Sequence, residues 1–265
     1  MEPRIKVRVL AGQLRVKMEN CVFVILAAGM GKRLGGENQK IVRKILGKSM
    51  ISYILETVKK FNPYKIIVVV GFKKEEIFEE LKGEKVEYVE QKELKGTGDA
   101  VLCTESLLKE YKGDIIVLNG DVPFITEKTI KELIKLHREN KSSCSFLTTI
   151  LDEPKGFGRV IKDGNGKVLG IIEEINADEE QKKIKEVNAG VYIFNSIDLF
   201  PALKEIRPDP IKKEYYLTEI IKILNSKNKK VLTYLTDDPE EVIGINTLDD
   251  LKRAEEVIKK RRIHG

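Results

Sequence analysis

Apolar runs alternate with amphipathic helical patterns along the first half of the chain. The run over residues 21–27 has no polar position, which is typical of a strand covered on both faces. Similar strands are predicted over 65–70, 86–89 and 114–118, and helices over 49–58, 73–81 and 97–108. This repeated β-α-β order predicts an α/β fold with a Rossmann-like, mostly parallel sheet and right-handed crossovers.

Strand patterns dominate after residue 140. Residues 163–166, DGNG, separate two short apolar runs and predict a hairpin turn. We therefore expect a late β-rich substrate lobe, built on strands 159–161, 168–172 and 187–194. Other strands are predicted over 145–150, 231–235 and 242–244, and helices over 126–138, 196–203, 217–224 and 248–260, the last with Leu248, Leu251, Ala254 and Ile258 on one face. No linker or repeat divides the chain, so we predict one domain over 21–265 after a peripheral extension, 1–20.

A glycine-rich loop follows the first strand, with the sequence LAAGMGKRLGGENQK over residues 26–40. Ala28 and Gly29 have small side chains or none, so the backbone can approach a ligand and turn its N–H groups toward it. Three cations, among them Arg33 and Lys40, lie in the same loop. Amides and cations at a strand end predict a phosphate site. The dinucleotide and P-loop fingerprints are absent, and a plain glycine-rich turn stays open as the alternative.

Polar residues also follow other predicted strands. Asp121 comes after an apolar strand and a glycine, and a carboxylate beside phosphates is how magnesium is usually held. Asn246 follows the predicted strand 242–244 in the same way. The alternatives are a local turn hydrogen bond for Asp121 and a helix-capping role for Asn246.

Three further polar side chains are candidates for ligand recognition. Gln91 precedes the glycine-rich segment 96–98 and is placed to read the amide edge of a base. Glu173 ends one strand of the hairpin and Asn188 opens the next strand, where a carboxylate and an amide would meet sugar hydroxyls. A glycine-rich loop without a ligand, and solvated strand ends, are the respective alternatives.

Composition excludes several classes of protein. The 265 residues carry a net charge of +6, but no aromatic residues interleave the basic tail, so we expect no nucleic-acid partner. No stretch of some 20 apolar residues predicts a membrane span. The three cysteines have neither zinc-site nor disulfide-framework spacing, which favours reduced thiols and a cytoplasmic protein.

Nine short motifs stand in the order found in the sugar-1-phosphate nucleotidyltransferases, and the chain resembles that family from residue 22 to about residue 261. Counting Lys40 as one of the nine, they are LAAGMGKRL, Lys40, QKELKGTGDA, NGDVP, GFGRV, IIEE, VNAG, EYYLTE and GIN. Within that family, the motifs most resemble the pyrophosphorylase domains of the N-acetylglucosamine-1-phosphate uridylyltransferases.

The resemblance implies a role for each matching residue. It implies that Arg33 and Lys40 are the catalytic cations that meet the phosphates, and that Asp121 and Asn246 bind Mg²⁺. The implied nucleotide-binding residues are Leu26, Ala27, Ala28, Gly29, Gln91, Gly96 and Thr97. The implied sugar-binding residues are Gly158 (or the nearby Gly156), Glu173, Asn188, Tyr216 and Thr218.

Four positions depart from the family pattern without removing a catalytic group. Gln39 stands where proline is frequent and Asp99 where histidine is common. Asn119 and Phe157 stand where tyrosine is common. These departures leave the choice of base and sugar open.

The resemblance implies transfer of a nucleoside monophosphate from a nucleoside triphosphate to a sugar 1-phosphate, with release of pyrophosphate. UTP and N-acetylglucosamine 1-phosphate are the expected substrates. A glucose-1-phosphate uridylyl- or thymidylyltransferase, a polyol-phosphate cytidylyltransferase and a catalytically silent regulatory subunit stay open. The reaction needs no protein nucleophile, because the enzyme would act by positioning the two substrates and neutralising the charge on their phosphates. The oligomeric state stays open.

Overall fold

The protein folds around a mixed sheet of nine strands. The structure is a computed structural model that describes residues 21–31 and 38–264. The strands of the described residues are β1 (Cys21–Leu26), β2 (Lys44–Ile45), β3 (Lys48–Ser49), β4 (Lys65–Val70), β5 (Glu87–Glu90), β6 (Asp114–Asn119), β7 (Cys144–Ile150), β8 (Arg159–Lys162), β9 (Val168–Ile172), β10 (Glu186–Asn195) and β11 (Val231–Leu235). β2 and β3 form a separate short hairpin, and the other nine strands form the main sheet.

Helices connect most of these strands. The α-helices are α1 (Met50–Lys59), α2 (Lys74–Glu80), α3 (Thr97–Leu102), α4 (Glu105–Leu108), α5 (Glu127–Glu139), α6 (Glu179–Lys182), α7 (Ser196–Leu203), α8 (Ile220–Ser226) and α9 (Leu248–His264). Short 3-10 helices cover Lys40–Val42, Glu174–Asn176, Leu217–Glu219 and Pro239–Val242. Ser49 begins α1 as predicted, because its side chain accepts a hydrogen bond from Ser52 N at 3.2 Å.

The strand order is β11-β7-β10-β6-β1-β4-β5. β1 lies between β4 and β6 and is parallel to both, and β5 continues the parallel arrangement beyond β4. β10 runs antiparallel to its neighbours β6 and β7, while β11 is parallel to β7. The predicted Rossmann-like, mostly parallel α/β sheet is confirmed.

Both faces of β1 are covered, which explains its uninterrupted apolar run. Val22 and Val24 pack on one face in a core that includes residues of α3, α7 and α8. Phe23 and Ile25 pack on the other face in a core that includes residues of α1 and α5. Neighbouring side chains of a strand point to opposite faces, so every position of a doubly covered strand is apolar.

The predicted β-rich lobe is an extension of the same sheet. β8 and β9 form the expected antiparallel hairpin, and β8 joins β10 where Arg159 pairs with Val187. The turn between them closes with a 3.0 Å hydrogen bond from Gly166 N to Asp163 O. β10 is irregular between Asn188 and Tyr192, a stretch that contains Gly190 at a φ of +72°. This irregularity lies where the strand passes from pairing with β8 to pairing with β6.

Four details of the sequence-based prediction are wrong. Residues 242–244 are not a strand; a 3-10 helix ends at Val242, and Ile243 packs against α9. The helix predicted over 97–108 is divided into α3 and α4, and the hairpin of β2 and β3 was not predicted. Leu248 is 58% exposed, whereas the other three residues assigned to its helix face pack inward.

The described helices are too short or too polar to cross a bilayer. The proposed domain boundary stays a prediction, since residues 1–20 lie outside the described part of the chain.

Candidate functional site

The carboxyl ends of three adjacent strands meet at one edge of the sheet. Gly120 N, after β6, donates to Leu26 O at 2.9 Å, and Ala27 N, after β1, donates to Val69 O of β4 at 2.8 Å. Ala28 O accepts from Phe72 N at 3.1 Å. The predicted nucleotide-binding segment 26–29 therefore lies at the centre of this edge, where ligands of parallel sheets bind.

Lys40 is held between the two predicted metal ligands. Its Nζ donates to Asp121 Oδ2 at 2.6 Å and to Asn246 Oδ1 at 2.7 Å, although the three residues lie 81 and 206 positions apart along the chain. The Lys40 side chain is only 10% exposed, and that of Asp121 is 26% exposed. The structure thus brings a cation, a carboxylate and an amide oxygen together at the edge of the sheet.

Asn246 does not cap the last helix. Thr247 does so, since its Oγ1 accepts from Asp250 N at 3.1 Å while Asp250 Oδ2 accepts from Thr247 N at 2.8 Å. Asp250 Oδ2 also accepts from Asn246 N at 2.9 Å, so the cap fixes the backbone of Asn246 and leaves its side chain for Lys40. Sequence reasoning missed Asp250, although the Thr-x-x-Asp spacing before a helix was the available signal.

The oxygens of Asp121 and Asn246 fit a hard cation. Both lie within 2.7 Å of one Lys40 nitrogen, so they converge on a single point, and carboxylate and amide oxygens are the donors that Mg²⁺ prefers. Within residues 21–31 and 38–264, no group of three or more His, Cys, Asp or Glu side chains could hold a metal by itself. A magnesium ion at this point would therefore need further oxygens from phosphates and water.

Gln39 ties the two ends of the glycine-rich loop together. Its side chain is fully buried, and Nε2 donates to Ala27 O at 2.6 Å and to Gly29 O at 3.1 Å. Its Oε1 accepts from Ile41 N at 2.9 Å, which fixes the residue after Lys40. Sequence reasoning noted Gln39 only as a departure and did not predict this contact. The other predicted catalytic cation, Arg33, lies outside the described residues.

The predicted base-binding residues lie together beyond β5. Gln91 follows β5, and its Nε2 donates to Gly96 O at 2.9 Å. A threonine at the start of a predicted helix would be expected to cap it, but Thr97 is the first residue of α3 and makes no cap hydrogen bond. Its Oγ1 instead accepts from Leu217 N at 2.9 Å. A Cβ on Gly96 would lie 2.7 Å from Tyr215 O, so close backbone packing requires this glycine.

The predicted sugar-binding residues surround the base of the β8–β9 hairpin. Thr218 Oγ1 donates to Glu173 Oε1 at 2.7 Å, and Asn188 N donates to Gly158 O at 2.9 Å. A Cβ on Gly158 would lie 3.6 Å from Glu173 Oε2, whereas Gly156 has no atom that close. Because Thr97 bonds to Leu217, the base-binding and sugar-binding groups are joined through the segment that carries Tyr216 and Thr218.

Burial raises the pKa of the Glu173 carboxyl above its ordinary value, and the hydrogen bond from Thr218 opposes part of this rise. A raised carboxyl pKa stabilises the fold below the pKa of the unfolded chain, and this contribution is lost as the pH rises through the folded pKa. Ionisation of this buried carboxyl therefore costs stability. A buried charge kept at such a cost is characteristic of a binding or catalytic group.

If Glu173 binds a sugar phosphate as the family resemblance predicts, Glu173→Gln should raise the KM for that substrate by ~10-fold, because an uncharged acceptor makes a weaker hydrogen bond. The melting temperature should stay the same or rise, since the substitution removes a buried charge. Steady-state kinetics and thermal melting measure both effects. Glu180→Gln is the matched control, because Glu180 pairs with Lys183 at the surface and is 83% exposed. An unchanged KM in Glu173→Gln would exclude Glu173 from sugar binding.

A second polar cluster lies at the opposite edge of the sheet. His137 Nδ1 is 3.1 Å from Ser145 Oγ, and His137 Nε2 is 3.7 Å from Asp114 Oδ1, so the residue types of a hydrolase triad meet here. Ser145 is completely buried and His137 is 2% exposed, so a substrate has no access to the hydroxyl. Burial also lowers the pKa of His137. The cluster secures the amino ends of β6 and β7 to α5.

The sequence profile of the family described as "Nucleotidyl transferase" matches residues 22–242. The chain belongs to this nucleotidyl transferase family. The match begins in β1 and ends in the 3-10 helix that precedes Asn246, so it includes most of the edge described above.

Curated relatives of the chain carry the name "Bifunctional protein GlmU". The relative from Caldicellulosiruptor saccharolyticus is 44% identical over 240 residues, which cover 90% of this chain and 52% of the relative. The relative from Acetivibrio thermocellus is 41% identical over 244 residues, which cover 92% and 53% respectively. The chain thus spans about half the length of the curated relatives that it matches.

Solved structures of nucleotide-sugar enzymes share the fold of this nucleotidyl transferase family member. An apo UDP-glucose pyrophosphorylase superposes with a TM-score of 0.75 at 19% identity, covering 92% of this chain and 99% of the other. A putative glucose-1-phosphate thymidylyltransferase from Bacillus anthracis gives a TM-score of 0.75 at 20% identity, covering 89% and 94%. At these identities the likeness concerns the fold alone.

Proposed function

We propose that this protein is a magnesium-dependent nucleotidyltransferase that forms UDP-N-acetylglucosamine and pyrophosphate from UTP and N-acetylglucosamine 1-phosphate. The observation that carries the proposal is the convergence of Lys40, Asp121 and Asn246 beside the segment 26–29. The similarity to the bifunctional GlmU proteins over 90% of the chain supports the choice of substrates.

In the proposed reaction, a phosphate oxygen of the sugar 1-phosphate attacks the α-phosphorus of UTP in line. A new P–O bond forms as the bond to the bridging oxygen breaks, and that oxygen leaves with the pyrophosphate. Bound Mg²⁺ would neutralise the negative charge of the triphosphate. Asp121 and Asn246 would hold the metal, while the Lys40 ammonium and the predicted cation Arg33 would neutralise the phosphates and orient them.

The proposed metal site also determines where the Lys40 ammonium would lie. Its ammonium bonds to the same oxygens that would hold the metal, so both cations cannot lie at that point together. With a metal held by Asp121 and Asn246, the Lys40 ammonium would lie on the phosphate side of these oxygens and would supply a second positive charge there. The buried stem of Lys40 and the clamp of Gln39 keep this ammonium close to the edge of the sheet.

The other proposed features follow from the same site. Gln91, Gly96 and Thr97 would lie along the base, and Gly158, Glu173, Asn188, Tyr216 and Thr218 around the amino sugar. The described cysteines Cys21, Cys103 and Cys144 are free thiols, which supports a reducing, cytoplasmic setting.

A matrix of four nucleoside triphosphates against several sugar 1-phosphates tests the proposal. We expect the highest kcat/KM for UTP with N-acetylglucosamine 1-phosphate. Selectivity among the bases should exceed selectivity among the sugars. A site that hydrogen-bonds the polar edge of a base can reject the wrong base by a factor of ~10⁴ or more, whereas steric fit alone rejects a wrong substrate by only ~10². A preference for CTP or dTTP over UTP with every sugar would refute the assignment. Absence of pyrophosphate release with every pair would favour a silent subunit of the same fold.

A further inference from the structure

The side-chain amide of Gln91 is fixed by two acceptors. Nε2 donates one hydrogen to Gly96 O at 2.9 Å and the other to Asp99 Oδ2 at 2.8 Å. The residue is 4% exposed, and its backbone N donates to Val70 O at 2.8 Å. Both hydrogens of the amide nitrogen are therefore committed within the protein.

These two acceptors permit only one orientation of the amide. A backbone carbonyl and a carboxylate can accept hydrogen bonds but cannot donate them. If the amide were flipped, its oxygen would face two further oxygens, so Nε2 must point toward Gly96 and Asp99. Across the described residues, the side-chain hydrogen bonds of Gln91 all run through Nε2, which leaves Oε1 as a fixed acceptor.

Asp99 is essential to this arrangement. Gly96 O occupies one N–H of the amide, but without Asp99 the other N–H would be free to donate to a ligand. A histidine at position 99 could donate as well as accept, so it would not enforce one orientation in the same way. The carboxylate therefore converts a group that could donate or accept into one that only accepts.

Gln91 lies at the same edge of the sheet as the loop after β1. It follows β5, and only β4 separates β5 from β1. Neighbouring strands lie about 4.8 Å apart, so the end of β5 is about 10 Å across the edge from the end of β1, where the proposed phosphate site begins. A bound nucleoside triphosphate would extend between these two points, with its base near Gln91 and its phosphates at the loop after β1.

We propose that Asp99 is a specificity-determining residue that selects bases with an N3–H donor, uracil and thymine, against cytosine. Uracil and thymine present N3–H to the fixed Oε1, whereas cytosine presents the lone pair of N3 to it. The inference depends on the proposed function only in taking a pyrimidine nucleoside triphosphate as the ligand. Asp99 is a positioning residue, since it acts on the base through Gln91.

The affinities of UTP, dTTP and CTP, measured by titration calorimetry with Mg²⁺ and the full chain, test the proposal without requiring turnover. We expect the wild-type protein to prefer UTP, and Asp99→Leu to lower the UTP:CTP affinity ratio by ~10-fold, the effect of one hydrogen bond. The dTTP:UTP ratio should stay constant, because both bases carry N3–H. Asp99→Ala should give the same shift if the leucine variant folds poorly.

Two controls separate base recognition from a structural role. Asp99→Asn can still present an oxygen to Gln91, so it should keep the UTP:CTP ratio within ~3-fold of the wild type. Glu93→Gln should do so too, because Glu93 pairs with Lys95 on the same loop and is 73% exposed. Equal weakening of UTP and CTP in the leucine and alanine variants would overturn the proposal. So would a wild-type protein that binds UTP no tighter than CTP, or that binds neither. A protein that prefers UTP but forms no nucleotide sugar would refute the proposed function and leave this inference intact.

Discussion

Asp121→Asn should lower kcat for pyrophosphate release by ~10²–10³, the usual cost of losing one preorganised electrostatic group. Asparagine keeps an oxygen that can accept from Lys40 Nζ, but it removes the negative charge that would attract Mg²⁺. Weak metal binding should survive, so raising the magnesium concentration should restore part of the rate. Asn246→Ala should show the same partial rescue. Initial rates against magnesium concentration measure both effects.

The control for this experiment is Asp249→Asn, three residues after Asn246. Asp249 pairs with Lys252 on the surface of α9 and is 94% exposed, so its substitution should leave the rate unchanged. The melting temperature of Asp121→Asn should change little, since Asp121 contributes to the site more than to the core. Full activity of Asp121→Asn at low magnesium would mean that another residue holds the metal.

Gly120→Ala should destabilise the fold by ~2–3 kcal/mol, the cost of overpacking at a rigid position. A Cβ on Gly120 would lie 2.5 Å from Leu26 O and 3.1 Å from Ile41 Cγ2. Leu26 O belongs to the backbone of the central strand and accepts the hydrogen bond of Gly120 N, so it cannot move away without opening the sheet edge. The melting temperature should fall by ~5–10 °C.

This substitution should also lower kcat, because Asp121 follows directly and would be displaced from Lys40. Gly164→Ala is the matched control. Gly164 lies in the turn between β8 and β9 and does not adopt a positive φ, and a Cβ added to it would have no atom within 4 Å. The melting temperature of the Gly164→Ala variant should therefore equal that of the wild type. A Gly120→Ala variant as stable as the Gly164→Ala variant would show that the edge of the sheet adjusts easily.

The sequence alone predicted the elements whose signals are local. The run 21–26 is apolar at every position, and its neighbours β4 and β6 are apolar throughout their interiors, because both faces of these strands are buried. That pattern needs no knowledge of distant residues. The DGNG turn and the Ser49 cap are likewise determined by residues within a few positions. The segment 242–244 was mistaken for a strand because a short apolar run packs equally well as irregular chain against α9.

The family's motifs located most candidate site residues, but only the tertiary structure decided their contacts. Lys40 meets Asp121 and Asn246 because three chain segments end at one edge of the sheet, and no local pattern encodes that meeting. The clamp of Gln39 on Ala27 O joins the two ends of one loop, 12 positions apart, and is also visible only in the tertiary structure. The orientation of Gln91 depends on hydrogen-bond direction, because an amide can donate or accept until its neighbours are known. Sequence thus determined which chemical groups are present, and tertiary structure determined which of them act together.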